Sequence, residues 1–290
     1  MRRDHKTISP TAFNHIIFRT FYGIPLAEEF EKAAEKYRMR EYLFNSRGIH
    51  KKISPMFEGR YKGGEEVLEK FIKRNRDCTI LELAAGFSLH GANLARKYPK
   101  INYIETDLSD IIKMKEKIVK EIGLNLPNLS FKSANALDAA SVKKIISRSK
   151  FGSKVAIYCE GLLSYFDDKE KIKIAKIIKS VFEERGGVWI TPDPALSAEA
   201  RKYLRKDWTE YRQAMKNVEK MAKQKYDDHG FKSEKETDKL FRNCGFAIRK
   251  YNWPTKLISW QTSGYDQKRM IKLGSILKKF GKTWVMTIKK

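Results

Sequence analysis

The 290 residues are 41% hydrophobic and 12% aromatic, which is enough apolar material for a packed interior and excludes wholesale disorder. Sixty lysines and arginines against 35 acids leave a net charge of +25, a field that favours acidic peptides, nucleic acid or other anions over cationic partners. No run approaches eighteen apolar residues and the opening MRRDHKTISP lacks an apolar signal core, so a soluble, cytoplasmic protein with no membrane association is expected.

Residues from Thr11 to about Arg74 read as several helices, and residues 1–74 are expected to form an N-terminal cap segment. From 75 to 290 strand and helix signals alternate. The strand candidates are Thr79–Leu83, Asn102–Glu105, Leu129–Lys132, Lys154–Cys159, Val188–Thr191, Ala247–Tyr251 and Thr283–Ile288. Ser109 is placed to cap a helix over Ile111–Glu121 that stops at Gly123. Asp167 with Glu170, and Ser233 with Glu236, form capping pairs before Ile172–Glu184 and Thr237–Asn243, the latter stopped by Gly245. Such alternation predicts an α/β fold, a doubly wound, mostly parallel seven-stranded sheet.

A helical lid is expected as an insertion at about 195–230. Within it Leu204, Trp208, Tyr211, Met215, Val218 and Ala222 recur every three or four residues, while Lys and Arg fill the other face. Both helical parts are placed over the carboxyl edge of the sheet. The last hundred residues hold 24 bases and 11 acids, so the positive excess concentrates there. Elsewhere most lysines alternate with Glu and Asp, the pattern of solvated helix faces. Cys78, Cys159 and Cys244 stand far apart without a CxxC pair, which argues for reduced thiols and against a zinc site.

Ligands of doubly wound sheets lie outside the carboxyl ends of the strands, where small residues let the backbone come close. The first strand carries Glu82 and turns through Ala84, Ala85 and Gly86. Neither G-x-G-x-x-G nor G-K-[ST] follows it, so neither a dinucleotide loop nor a P-loop is present. The second strand ends in Glu105-Thr-Asp107, acids suited to accept from ribose hydroxyls. Ala134-Asn-Ala-Leu-Asp138 follows the third strand, where an amide or a carboxylate can reach an adenine amine. Glu160 follows the fourth, opposite them. A nucleoside without a demand for phosphates fits this set, and S-adenosylmethionine is such a ligand.

The stretches ELAAGFS, YIETDLSDIIKMK, ANALD and CEGLLSYF, with ISPTAF near the start and GKTWVMTIKK at the end, together resemble class I S-adenosylmethionine-dependent methyltransferases of the leucine carboxyl methyltransferase-like group. That resemblance implies a Rossmann-like core with a helical cap and an O-methyltransferase activity. It implies that Ala84 and Gly86 pass the methionine part of the cofactor, that Asp107 and Glu105 hold the ribose, that Asn135 and Ala136 face the adenine, and that Glu160 meets the amino end. An arginine ahead of the first strand would grip a carboxylate, and Arg60 is its match. Ala84 stands where the first glycine is usual, which requires a negative φ there. Ser88 replaces a common Asp, and Asn135 another.

Tyr165 is a candidate for lining the acceptor site, as is Tyr22 from the cap. His90 would serve as a base if the acceptor were a hydroxyl, whereas a carboxylate needs none. The expected product is therefore a methyl ester on a peptide, a protein C-terminus or a small carboxylate. Two other readings are an RNA-modifying methyltransferase drawn to tRNA by the basic C-terminal third, and a non-catalytic module that kept the fold.

Overall fold

The computed structural model describes residues 16, 19–37, 47–149, 154–203, 208, 209, 212, 213, 216, 229–260 and 264–289. Two helices precede the sheet, α1 (Ala27–Glu35) and α2 (Arg47–Arg74). The core follows as β1 (Thr79–Leu83), α3 (His90–Lys97), β2 (Asn102–Asp107), α4 (Ser109–Glu121), β3 (Leu129–Ser133), α5 (Ala139–Ser147), β4 (Val155–Cys159), α6 (Asp168–Arg185) and β5 (Val188–Thr191). After the lid come α7 (Glu234–Asn243), β6 (Phe246–Asn252), α8 (Gln267–Phe280) and β7 (Lys282–Ile288).

All seven strands lie in one sheet of order β3-β2-β1-β4-β5-β7-β6, with β7 antiparallel to both its neighbours. The order reverses between β1 and β4, and at such a switch point the two crossover helices diverge and leave a crevice. Every residue of β1 and of β4 is buried, as expected for parallel strands covered on both faces. Glu82 is thus carried into a fully covered strand, and its partners are described below.

The capping signals hold unevenly. Asp167 and Glu170 close a reciprocal capping box at the start of α6, and Ser233 Oγ accepts from Glu236 N at 3.2 Å ahead of α7. Ser109 does not cap α4: the cap position falls on Leu108, without a side-chain hydrogen bond. Helix α8 was not foreseen, although Asp266 accepts from Arg269 N at 2.8 Å and Leu273, Leu277 and Phe280 form its buried stripe.

The N-terminal part shares a core with the sheet rather than standing apart from it. Ile16, Tyr22, Ile24 and Phe30 pack in one apolar cluster with Phe87 and Leu89 after β1, Ile118 of α4, and Ala195 after β5. These contacts bring the segment over the carboxyl ends of the strands. The lid's two ends are tied together, with Ala198 N donating to Phe231 O and Glu199 N to Lys232 O. Trp208 packs partly buried under the Arg201 guanidinium, 4.6 Å from its ring centroid. Leu204, Tyr211, Met215, Val218 and Ala222, and residues 8–13, lie outside the described residues. No helix among the described residues is long and apolar enough to cross a membrane.

Candidate active site

The turn after β1 folds onto the end of β2. Ala85 N donates to Thr106 O at 2.8 Å, and Gly86 N donates to Asp107 Oδ2 at 2.7 Å. To make this turn the chain goes left-handed twice, at Gly86 with φ 47° and at Ala84 with φ 52°. The expected negative φ at Ala84 is therefore wrong. The alanine keeps the glycine's conformation, at a cost of about 1–2 kcal/mol that the hydrogen bonds around it offset.

Asp107 is buried, and Leu108 N donates to its Oδ1 at 2.7 Å. Burial pushes its carboxyl up to about 6 against the pull of the two amides. Each oxygen uses one lone pair on an amide and retains another for a hydroxyl donor. Asp107 is the carboxylate at the strand tip.

Glu105 and Glu82 lie one pleat deeper, and the expectation for both changes. Glu105 sits 2.5 Å from Lys115 Nζ of α4, both about 1% exposed. A Cβ added to Gly91 of α3 would meet Glu105 Oε1 at 2.2 Å, so the carboxylate is covered by helix backbone. Burial raises its carboxyl to about 7, with Lys115 opposing. Glu82 accepts from Ser88 Oγ and Tyr103 OH, each at 2.7 Å, and so ties the β1 turn to β2. Both acids are thus held by partners inside the protein, beneath the strand tips.

Across the switch point, Glu160 gathers three elements. Arg60 Nε of α2 donates to its Oε1 at 3.0 Å; Tyr158 OH of β4 donates to Oε2 at 2.8 Å, with His90 Nε2 of α3 at 3.2 Å. Burial would raise the Glu160 carboxyl, but the Arg60 charge and then His90 hold it well below the usual range. Tyr61 stacks flat on His90 at 3.8 Å between centroids, and Arg60 lies over Phe57. Tyr22, buried beside them, has its hydroxyl pushed up by desolvation. His90 is fully buried and bound into this cluster, not a free base on a helix surface.

The loop after β4 is fixed by a residue that strand-end reasoning passed over. Asp193, after β5, accepts from the amides of Gly161, Leu162 and Leu163 at 2.6, 3.0 and 2.8 Å. Its signal was an acid just past a strand end, in Thr191-Pro-Asp. Gly161 has φ 76°, and an added Cβ there would lie 3.7 Å from Arg60 Nη2. Tyr165 is partly buried at the seam between the N-terminal cluster and the sheet cluster. Asn135 is exposed at the β3 rim, its Oδ1 accepting from Leu137 N, with Ala136 buried beside it; Asp138 caps α5. An open cavity of roughly 690 Å³ lies elsewhere, lined in part by Glu234, Asp238, Arg242, Lys250 and Lys282, whose charges are paired with one another.

No family model matches the chain, and no curated protein does. Solved structures do. An O-methyltransferase family protein from Burkholderia thailandensis superposes with a TM-score of 0.52 at 14% identity, over 97% of this chain and 72% of that one. A candidate O-methyltransferase from Nostoc punctiforme gives 0.50 at 12%, with the same coverage. The fold is that of class I methyltransferases. Identities this low establish architecture alone, because one fold carries many activities.

Proposed function

We propose that the chain is an S-adenosylmethionine-dependent methyltransferase that esterifies a carboxylate, in the manner of the leucine carboxyl methyltransferase-like group. The observation that carries this reading is the pairing of two preformed acidic groups across one crevice. On one side Gly86 and Asp107 are hydrogen-bonded to each other at the tips of β1 and β2. On the other, Glu160 is held ionised by Arg60 at the end of β4.

The residues present fit the cofactor's chemistry. Asp107 offers unused lone pairs to ribose hydroxyls, the left-handed turn at Ala84 and Gly86 presents backbone without side-chain bulk, and Glu160 offers an anion to an ammonium group. Arg60 would hold the amino-acid carboxylate. Asn135 and Ala136 would border the adenine. When bound, S-adenosylmethionine supplies a methyl group already activated on a sulfonium, which an anionic oxygen accepts without losing a proton.

A carboxylate acceptor is favoured by the state of the one histidine in the cluster. His90 is completely buried, stacked on Tyr61 and committed to Glu160 and Tyr158. It has no access to a hydroxyl proton, so an acceptor that is already anionic suits the site, and holding it in line is then the protein's main task. Tyr165, at the seam between cap and sheet, would line the acceptor side. Acceptors of this class include a peptide or protein C-terminus and small carboxylates.

The test is transfer of methyl label from S-adenosylmethionine into a library of peptides with free C-termini and a set of small carboxylic acids, followed by mild alkali. Label released as methanol supports the ester. Label that survives base on any product rules the ester out.

A further inference from the structure

The polar cluster around Glu160 contains two arginines in opposite circumstances. Arg60 is paired. Arg19, in the helical residues ahead of α1, is 7% exposed, and its Nε and Nη1 have no hydrogen-bond partner among the described residues. Its guanidinium stands 5.5 Å over the ring of Tyr61, whose own buried hydroxyl has no hydrogen-bond partner among the described residues. Tyr61 in turn stacks on His90, which binds Glu160, so Arg19 is one aromatic layer away from the Arg60–Glu160 pair.

A guanidinium stays charged at any ordinary pH, and leaving its buried N–H donors without acceptors is unfavourable. Arg19 adds to the positive field that holds Glu160 ionised, but no carboxylate among the described residues accepts a hydrogen bond from its Nε or Nη1. Glu160 accepts instead from Arg60 and Tyr158, with His90 beside it; Glu58 accepts from Lys62, Ser259 N and Ser259 Oγ; Glu31 accepts from Thr20 Oγ1. Two unmade donors on a flat, charged fork match one planar monoanion.

We infer that Arg19 is a carboxylate-binding residue of this site, its guanidinium backed by Tyr61. The choice of ligand rests on the methyl-transfer reading, which brings two carboxylates to the crevice: that of the cofactor's amino-acid end and that of the acceptor. Both have the same chemistry, and they separate by experiment.

Calorimetry on the full chain compares wild type, Arg19→Gln and Arg19→Lys with three probes. These are S-adenosylhomocysteine, 5′-methylthioadenosine, which has the same thioether but no carboxylate, and acetate titrated into the S-adenosylhomocysteine complex. If Arg19 takes the cofactor's carboxylate, Arg19→Gln weakens S-adenosylhomocysteine about tenfold or more and leaves 5′-methylthioadenosine unchanged. If it takes the acceptor's, both adenosyl ligands bind as in wild type and acetate binding disappears. Arg19→Lys, which keeps the charge without the fork, gives the same comparison if the glutamine variant does not fold. Wild-type affinities for all three probes in both variants would overturn the inference, as would equal weakening of both adenosyl compounds. A wild-type protein that binds neither adenosyl compound sinks the methyl-transfer reading instead, and acetate titrated into the protein alone then decides Arg19.

Discussion

Arg60 Nε meets Glu160 Oε1 at 3.0 Å across 100 residues of chain, and both side chains are under 10% exposed. This contact joins helix α2 to the end of β4, so the segment before the sheet is locked to the switch point by charge as well as by apolar packing. Breaking one partner of a buried pair leaves the other uncompensated. Glu160→Gln is expected to destabilise the protein by about 3 kcal/mol or more in urea unfolding and to abolish adenosyl-ligand binding in calorimetry.

The same pair sets an acid limit. Because the Glu160 carboxyl is held below its ordinary value of 4.5, its contribution is complete above that pH and fades as pH falls further. Glu160→Gln should therefore lose less stability than wild type between about pH 5 and pH 2, measured by thermal melting. An unchanged acid slope would mean that other carboxylates carry it.

Ala84 occupies the left-handed region at φ 52° in the turn that receives Thr106 and precedes the Gly86–Asp107 contact. Ala84→Gly removes the Cβ penalty but loosens the unfolded chain, so a net gain of up to about 1 kcal/mol is expected. Ala84→Val should cost at least that much, since a β-branched residue tolerates this conformation worse. Melting temperatures of the two variants decide it.

Glu105 and Lys115 offer a way to separate floor from lining. Glu105→Gln leaves a buried ammonium without its counter-charge and should destabilise by about 3–5 kcal/mol. The double change Glu105→Met with Lys115→Met removes both charges and should recover most of that loss. If Glu105 only supports the site, the double variant still binds S-adenosylhomocysteine within a few-fold of wild type. A loss of binding in a stable double variant would return Glu105 to the ribose.

Much of the sheet was legible because its central strands, β1, β4 and β5, are short apolar runs. β1 and β5 fall where expected to the residue, β4 starts one residue later, and the others extend by one or two positions. Depth was not legible. Glu105 and Asp107 lie two apart on the same face of β2, so the period of two predicts shared orientation, but only the covering of Gly91 and Lys115 shows which one is sealed off. Arg19 was invisible for a similar reason. A lone arginine among Ile16, Tyr22 and Ile24 reads as a solvated residue until that segment packs on the strand ends and takes it inside. α8 was missed because lysines and Gly274 interrupt its stripe, although its Asp266 cap was there to find.

Asp107 yields a prediction of opposite sign for folding and for binding. Its carboxyl rises from 3.8 to about 6 on folding, so between those values the folded chain binds the proton more tightly than the unfolded one. The stabilisation from this group is full below 3.8, declines as pH rises and is gone above about 6. A ribose hydroxyl, however, donates to the ionised form, so affinity for S-adenosylhomocysteine should increase as pH passes through about 6. Asp107→Asn should weaken that affinity about tenfold or more and flatten the dependence, because an amide has one acceptor oxygen and no proton to lose in this range. Calorimetry from about pH 5 to about pH 7.5 on both proteins tests this. A variant that keeps the slope would transfer the titration to another group and remove Asp107 from the ribose site.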